Sequence, residues 1–104
     1  HILALKDVRY FIQLAFDGSQ YHGWQIQQNA HSVQAELNDA LGKILRQSVE
    51  TTGCGRTDTG VHARDFYVHM DAPDLDLSKH DFVHQLNCIL PTDIAIKRII
   101  PVHP

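Results

Sequence analysis

Of its 104 residues this chain spends only two on cysteine, four on proline and one on tryptophan, and its cations are outnumbered, nine Lys and Arg against twelve Asp and Glu. Each scarcity excludes something. Cys54 and Cys88 stand far apart and form no CxxC pair, which removes zinc ribbons and dithiol motifs and leaves two reduced thiols as the expectation. No stretch nears the roughly 20 consecutive apolar residues of a membrane-spanning helix, and no charged-then-apolar leader precedes the first strand-like segment, so a soluble, cytoplasmic protein is expected. A formal charge of −3 lacks the basic excess of a protein that holds nucleic acid by charge alone. The deficit is local, however. Asp71, Asp74, Asp76 and Asp81 against Lys79 account for it and the remainder is balanced, so net charge neither supports nor excludes an RNA partner. Repeats, low-complexity tracts and linker-like composition are also missing. The chain opens on His1 instead of Met, which points to a processed or excised piece or to a tag remnant.

What is present suits a single domain, 1–104, around one core: 43% of the residues are apolar, and a chain of this size buries roughly two thirds of its unfolded surface. Val8, Tyr10, Ile12, Leu14 and Phe16 alternate with Arg9, Phe11, Gln13 and Ala15, which is a strand pattern. Asp17 and Gly18 end it, and the stretch to Asn29 follows no period; a loop of that length calls for a purpose. Ser32 suits an N-cap, and Val33, Leu37, Ala40, Leu41, Ile44 and Leu45 recur at helical spacing, predicting a helix over 33–46 with Asp39 and Lys43 one turn apart. Ser48 to Thr52 reads as a short strand running into a glycine-bearing segment. Phe66, Val68 and Met70 alternate with Tyr67, His69 and Asp71 in a third strand that Pro73 ends. Ser78 with Asp81 resembles a capping box for a second helix, whose stripe is Phe82, Val83, Leu86, Ile89 and Leu90 and which stops before Pro91. A fourth strand takes Ile94 to Ile100. The order β-α-β-β-α-β implies an α+β, ferredoxin-like split βαβ fold, one antiparallel sheet with two helices on one face.

Two segments are dense in reactive side chains. Gly53-Cys54-Gly55-Arg56-Thr57-Asp58-Thr59-Gly60-Val61-His62 holds three glycines, a cation and a carboxylate. A dinucleotide fingerprint would need glycine where Asp58 stands, and a phosphate-binding Walker loop would need Lys-Ser or Lys-Thr after Gly60, where Val61 and His62 occur. Two readings stay open: a loop whose glycines let backbone approach a ligand while Arg56 and Asp58 act on it, or a tight turn bearing a surface ion pair. In the second segment, Asp17 to Gln25, Tyr21, Trp24 and Gln25 offer ring planes and an amide, the inventory for stacking on and hydrogen-bonding to bases. A packed Ω-loop would use the same residues, and Trp24 alone reads more readily as a core plug. His80, His84 and Cys88 are spaced for one helical face, yet no cysteine or acidic partner stands at a recognised spacing, which favours solvated side chains over a metal site. No Ser sits in a GxSxG setting.

Four segments taken in order resemble the N-terminal half of the bacterial tRNA pseudouridine synthase A family. They are Phe16-Asp17-Gly18-Ser19-Gln20-Tyr21-His22-Gly23-Trp24-Gln25, Ser32-Val33-Gln34, Gly55-Arg56-Thr57-Asp58-Thr59-Gly60-Val61-His62-Ala63, and Asn87-Cys88-Ile89-Leu90-Pro91-Thr92-Asp93-Ile94. The resemblance covers nearly the whole chain from Arg9 onward. Its one departure is Thr59, where the family usually has Ala; no reactive group is lost.

The resemblance implies that Asp58 is the catalytic aspartate, which attacks the target nucleotide and lets uracil detach, turn and rejoin through carbon. The chemistry would be an isomerisation of uridines in the tRNA anticodon stem-loop, with neither redox cofactor nor metal. Gly55, Arg56, Thr57, Tyr21, Trp24 and Gln25 become candidate substrate contacts, with Arg56 clamping a phosphate or filling the space of the flipped base. The family's stacking tyrosine and the basic partner of its aspartate belong to the part after Pro104. The resemblance therefore also implies a fragment lacking its C-terminal half and inactive by itself, drawn from a protein that forms a homodimer. The alternative is a stand-alone ferredoxin-like RNA-binding or interaction module without catalysis.

Overall fold

The computed structural model describes residues 7–17, 32–54, 63–73 and 77–102. In chain order the elements are β1 (Asp7–Phe16), α1 (Val33–Leu45), β2 (Thr52–Gly53), β3 (Ala63–Pro73), α2 (His80–Ile89) and β4 (Ile94–Val102). All four strands lie in one antiparallel sheet of order β2-β3-β1-β4, which places the two most regular strands, β1 and β3, at its centre. This is the expected α+β, ferredoxin-like arrangement. Alternation explains the layering. Tyr10, Ile12 and Leu14 of β1 and Val68, Met70 and Ala72 of β3 are fully or almost fully buried, and they pack with Val33, Leu37 and Leu41 of α1 and Leu86 of α2. Both helices thus cover the same face of the sheet.

Helix α1 starts where the sequence expects, because the Ser32 hydroxyl accepts from the Ala35 N–H at 3.1 Å and satisfies one of the free donors of the first turn. Asp39 and Lys43 pair across one turn at 2.9 Å. The helix ends at Leu45, one residue short of the expected end, because Arg46 adopts a left-handed conformation (φ 57°) and its N–H returns to the Gly42 carbonyl. That conformation favours glycine. Arg46→Gly is expected to raise stability by about 0.5–1 kcal/mol, removal of side-chain strain outweighing the added freedom of the unfolded chain; a denaturant midpoint that falls would contradict this.

Three local expectations need correction. Residues 48–51 are not strand: β2 is only Thr52–Gly53, paired with His69 and Val68. The chain before it is held by α1 instead, with the buried Thr51 hydroxyl donating to Asn38 Oδ1 at 2.6 Å and the Gln34 amide donating to the Thr51 carbonyl. Ser78 is not the cap of α2. The N-cap is Lys79, which makes no side-chain cap bond, while its carbonyl accepts from Phe82 and Val83. Finally, Ile89 lies 47% exposed rather than in the apolar stripe, and Leu90, in extended backbone after the helix, is buried in its place. The strands β3 and β4 are also longer than their alternation suggests, beginning at Ala63 and ending at Val102.

No helix covers the opposite face of the sheet. Its side chains satisfy one another laterally: Arg9 pairs with Asp71 (Nε to Oδ1 3.0 Å), Gln13 and Lys97 both donate to Asp65 at 2.7 Å, and Arg98 donates to Gln13 Oε1 at 2.8 Å. Hydrogen bonds from Lys97 and Gln13 hold the Asp65 carboxyl below its ordinary value of 3.8, and the Arg9 hydrogen bond does the same for Asp71. A lowered folded-state value means that these carboxylates stabilise the fold above the unfolded value and lose that contribution as pH falls through the folded values. The double variant Asp65→Asn/Asp71→Asn is therefore expected to lose less stability than the parent on acidification below pH 3.8. The comparison of denaturant midpoints at neutral and acid pH checks it. Because the groups are exposed, the difference should be modest and shrink in salt.

Candidate active site

β1 runs towards Phe16, and the pairings Phe16↔Ala63 and Phe16↔Ile94 bring the starts of β3 and β4 to its end. Segment 18–31 continues from the end of β1, segment 55–62 leads into β3, and Leu90–Asp93 leads into β4. Antiparallel pairing of these strands thus tethers the two motif-rich segments of the sequence to adjacent central strands at one end of the sheet. The candidate residues themselves, Gly55, Arg56, Thr57 and Asp58 in one segment and Tyr21, Trp24 and Gln25 in the other, lie outside the described residues. Their anchors are well fixed. On the approach to Gly55, the Cys54 N–H donates to the Tyr67 carbonyl at 2.9 Å, and Thr51 is tied to α1. Beyond the end of β1, the Asp17 N–H donates to the Asp93 carbonyl at 2.9 Å, while Ile94 N–H closes back on Pro91 at 3.1 Å.

Between these anchors lies an open cleft of about 590 Å³ lined by Ala15, Phe16, Asp17, Arg64, Thr92, Asp93 and Ala95. That volume falls within the roughly 300–1,000 Å³ of small-ligand sites. Small side chains make the room, since Ala15 and Ala95 are paired across β1 and β4 and neither fills the space above the sheet. A bulge shapes its rim. Leu14 pairs with Phe66 and Phe16 with Ala63, so Arg64 and Asp65 together oppose the single Ala15, an irregularity that re-aims side chains and recurs beside active sites. Arg64 is exposed at this bulge, and its charge reaches Asp65, although Lys97 and Gln13 affect that carboxyl more. The cleft can therefore offer a cation to a phosphate, with two carboxylates, Asp17 and Asp93, across from it.

Sequence reasoning passed over Arg64 because it follows the quoted motif by one residue and sits in an ordinary strand pattern. It quoted Asn87 without assigning it a task. The structure supplies one: Asn87 Nδ2 donates to the Ile96 carbonyl at 3.0 Å and Asn87 Oδ1 accepts from the Ile96 N–H at 2.7 Å, a two-bond clip from α2 to β4 just beyond the cleft. On the outer side of α2, Cys88 Sγ lies 3.6 Å from His84 Nε2, and both side chains are exposed. Among the described residues no third ligand joins them, and the side chain of His80 is not among those described. Cys54 and Cys88 are free thiols. Among the described residues, no helix is long and apolar enough to cross a membrane.

Comparison with known proteins matches no family model. Curated relatives match strongly. The chain is 50% identical over 96 residues to a protein of Bacteroides thetaiotaomicron named tRNA pseudouridine synthase A, covering 92% of this chain and 35% of that protein. Proteins of the same name from Porphyromonas gingivalis and Bacteroides fragilis are each 46% identical, over 90% and 92% of this chain and 38% of their own lengths. The chain thus spans between a third and two fifths of the relatives it matches.

Proposed function

We propose, since over its shared length this chain belongs to the tRNA pseudouridine synthase A family, that it is the part of a tRNA pseudouridine synthase that carries the reactive aspartate. The observation that supports this reading most is the coincidence of sequence and topology. The segment containing Asp58 and the segment containing Tyr21, Trp24 and Gln25 are anchored on neighbouring strands at the same end of the sheet, through the Phe16↔Ala63 pair, beside a cleft of ligand size. In this reading Asp58 is the catalytic group. Its carboxylate attacks the target nucleotide, uracil detaches and turns, and a carbon–carbon bond to the ribose replaces the carbon–nitrogen bond. Atoms are conserved, so the reaction calls for no oxidant and no metal.

Arg56, two residues before Asp58, serves as the cation that holds a phosphate of the extruded nucleotide and favours the ionised carboxylate. Gly55 and Thr57 bring backbone close to that phosphate, and Tyr21, Trp24 and Gln25 contact bases. The substrate is tRNA, recognised at its anticodon stem-loop, and the full-length protein works as a cytoplasmic homodimer. The test uses the full-length natural protein and tRNA tritiated at carbon 5 of its uracils. Release of tritium, with pseudouridine found in the digested product, supports the assignment; tRNA binding without any release would instead favour a binding module.

A further inference from the structure

The helix-free face of the sheet carries rings where a polar surface would suffice. Phe11 of β1 stands opposite His69 of β3, with ring centroids 5.9 Å apart and planes at 65°. Tyr67, two residues earlier on β3 and opposite Gln13, is 38% exposed. Since alternate residues of a strand share a face at about 7 Å spacing, Tyr67 and His69 are too far apart to serve one base but are placed to receive two consecutive, unstacked ones. The apolar Ile100, opposite Phe11 on β4, continues the strip.

Charge on this face runs against the charge of the chain. Arg9, Lys97 and Arg98, with Arg64 at the rim, number four cations against the two carboxylates Asp65 and Asp71, whereas the whole chain is at −3. Arg9 and Lys97 are each neutralised by one of those carboxylates. Arg98 is not. Its guanidinium donates to the neutral amide oxygen of Gln13, which orients it beside Tyr67 without cancelling its charge. Ring planes with an oriented, uncompensated cation between them are what an unpaired RNA strand requires, the bases stacking and the phosphate meeting the guanidinium.

We propose that the open sheet face is a second RNA contact surface, on which unpaired nucleotides stack on Tyr67 and the Phe11–His69 pair while Arg98 holds an adjoining phosphate. This rests on the RNA reading of the proposed function but involves none of the residues assigned to its chemistry. The face continues into the cleft through Ala15, Arg64 and Ala95, so a strand bound there leads towards the segments carrying Asp58 and Tyr21.

The test measures fluorescence anisotropy of the full-length natural protein with a 5′-labelled, single-stranded oligouridine, alongside tritium release from saturating tRNA. Tyr67→Ala is expected to weaken oligouridine binding about tenfold, the scale of one stacked base. Tyr67→Phe should bind as the parent does, and Arg98→Gln should weaken binding and reduce its salt slope by about one. The rate at saturating tRNA should stay unchanged in all three. Parental affinity in both Tyr67→Ala and Arg98→Gln would overturn the proposal, as would a dimer in sedimentation that Tyr67→Ala dissociates while RNA affinity holds. The two readings fail separately. A parent that makes pseudouridine but binds RNA independently of Tyr67 and Arg98 refutes this surface alone, whereas Tyr67-dependent binding without any pseudouridine supports the surface and refutes the enzyme.

Discussion

Asp58→Asn in the full-length natural protein is expected to abolish pseudouridine formation, with tritium release falling by roughly three orders of magnitude or more, while tRNA affinity stays within about threefold of the parent. The amide keeps the size and most of the hydrogen-bonding geometry of the carboxylate but supplies no nucleophile, so chemistry fails before binding does. Arg56→Ala separates the two steps differently. A cation facing phosphate contributes both to affinity and to the placement of the nucleotide, so both should fall, and the affinity loss should shrink at high salt. Substantial turnover by Asp58→Asn on an anticodon stem-loop would remove that residue from the nucleophile role. A collapse of tRNA binding in the same variant would move Asp58 from chemistry to recognition.

Asn87→Leu is expected to cost about 2 kcal/mol, two hydrogen bonds of about 1 kcal/mol each, which for a chain of this size lowers the melting temperature by roughly 10 °C. The argument is geometric. Ile96 is buried and its backbone N–H and carbonyl both face Asn87, so a leucine would leave two backbone groups of an edge strand to find water or go unpaired. Asn87→Asp is the sharper variant. It keeps the acceptor for the Ile96 N–H but sets a carboxylate oxygen against the Ile96 carbonyl, so it too should destabilise. Calorimetry or thermal circular dichroism reads both; a leucine variant as stable as the parent would show that the clip contributes nothing net. Because β4 begins beside the cleft at Ile94, the unfolding of Asn87 variants should begin with loss of amide protection in β4.

Local rules carried the reading of this fold furthest where burial and period agree. The alternation of Val8 to Phe16 and of Phe66 to Met70 declared two half-buried strands, and these are the central pair whose inward residues form the floor of the core. The Ser32 cap, the Val33–Leu41 stripe and the Asp39–Lys43 pair declared α1. Reading failed where a distant partner overrides local preference. Ser48 to Thr52 has a strand-like composition, but the side chains of Gln34 and Asn38 claim Thr51, so only Thr52 and Gly53 join β3. Ile89 fits the helical stripe on paper, yet Leu90 occupies the buried position once the helix ends before Pro91.

The sequence by itself determined the order of elements, the inward faces of the strands and the identity of the motif residues, Asp58 and Arg56 among them, because periodicity and residue type are properties of a linear string. Only the tertiary structure decided that segments 18–31 and 55–62 spring from the same end of the sheet, since that follows from the antiparallel register Phe16↔Ala63 and not from either segment's own residues. It alone assigned Asn87 to the edge of β4, raised Arg64 on a bulge, and gathered Phe11, Tyr67, His69 and Arg98 from three strands onto one uncovered face. Such groupings depend on which strands pair and in what register, and register is fixed by burial of the opposite face, an energy shared by the whole core and carried by no single residue.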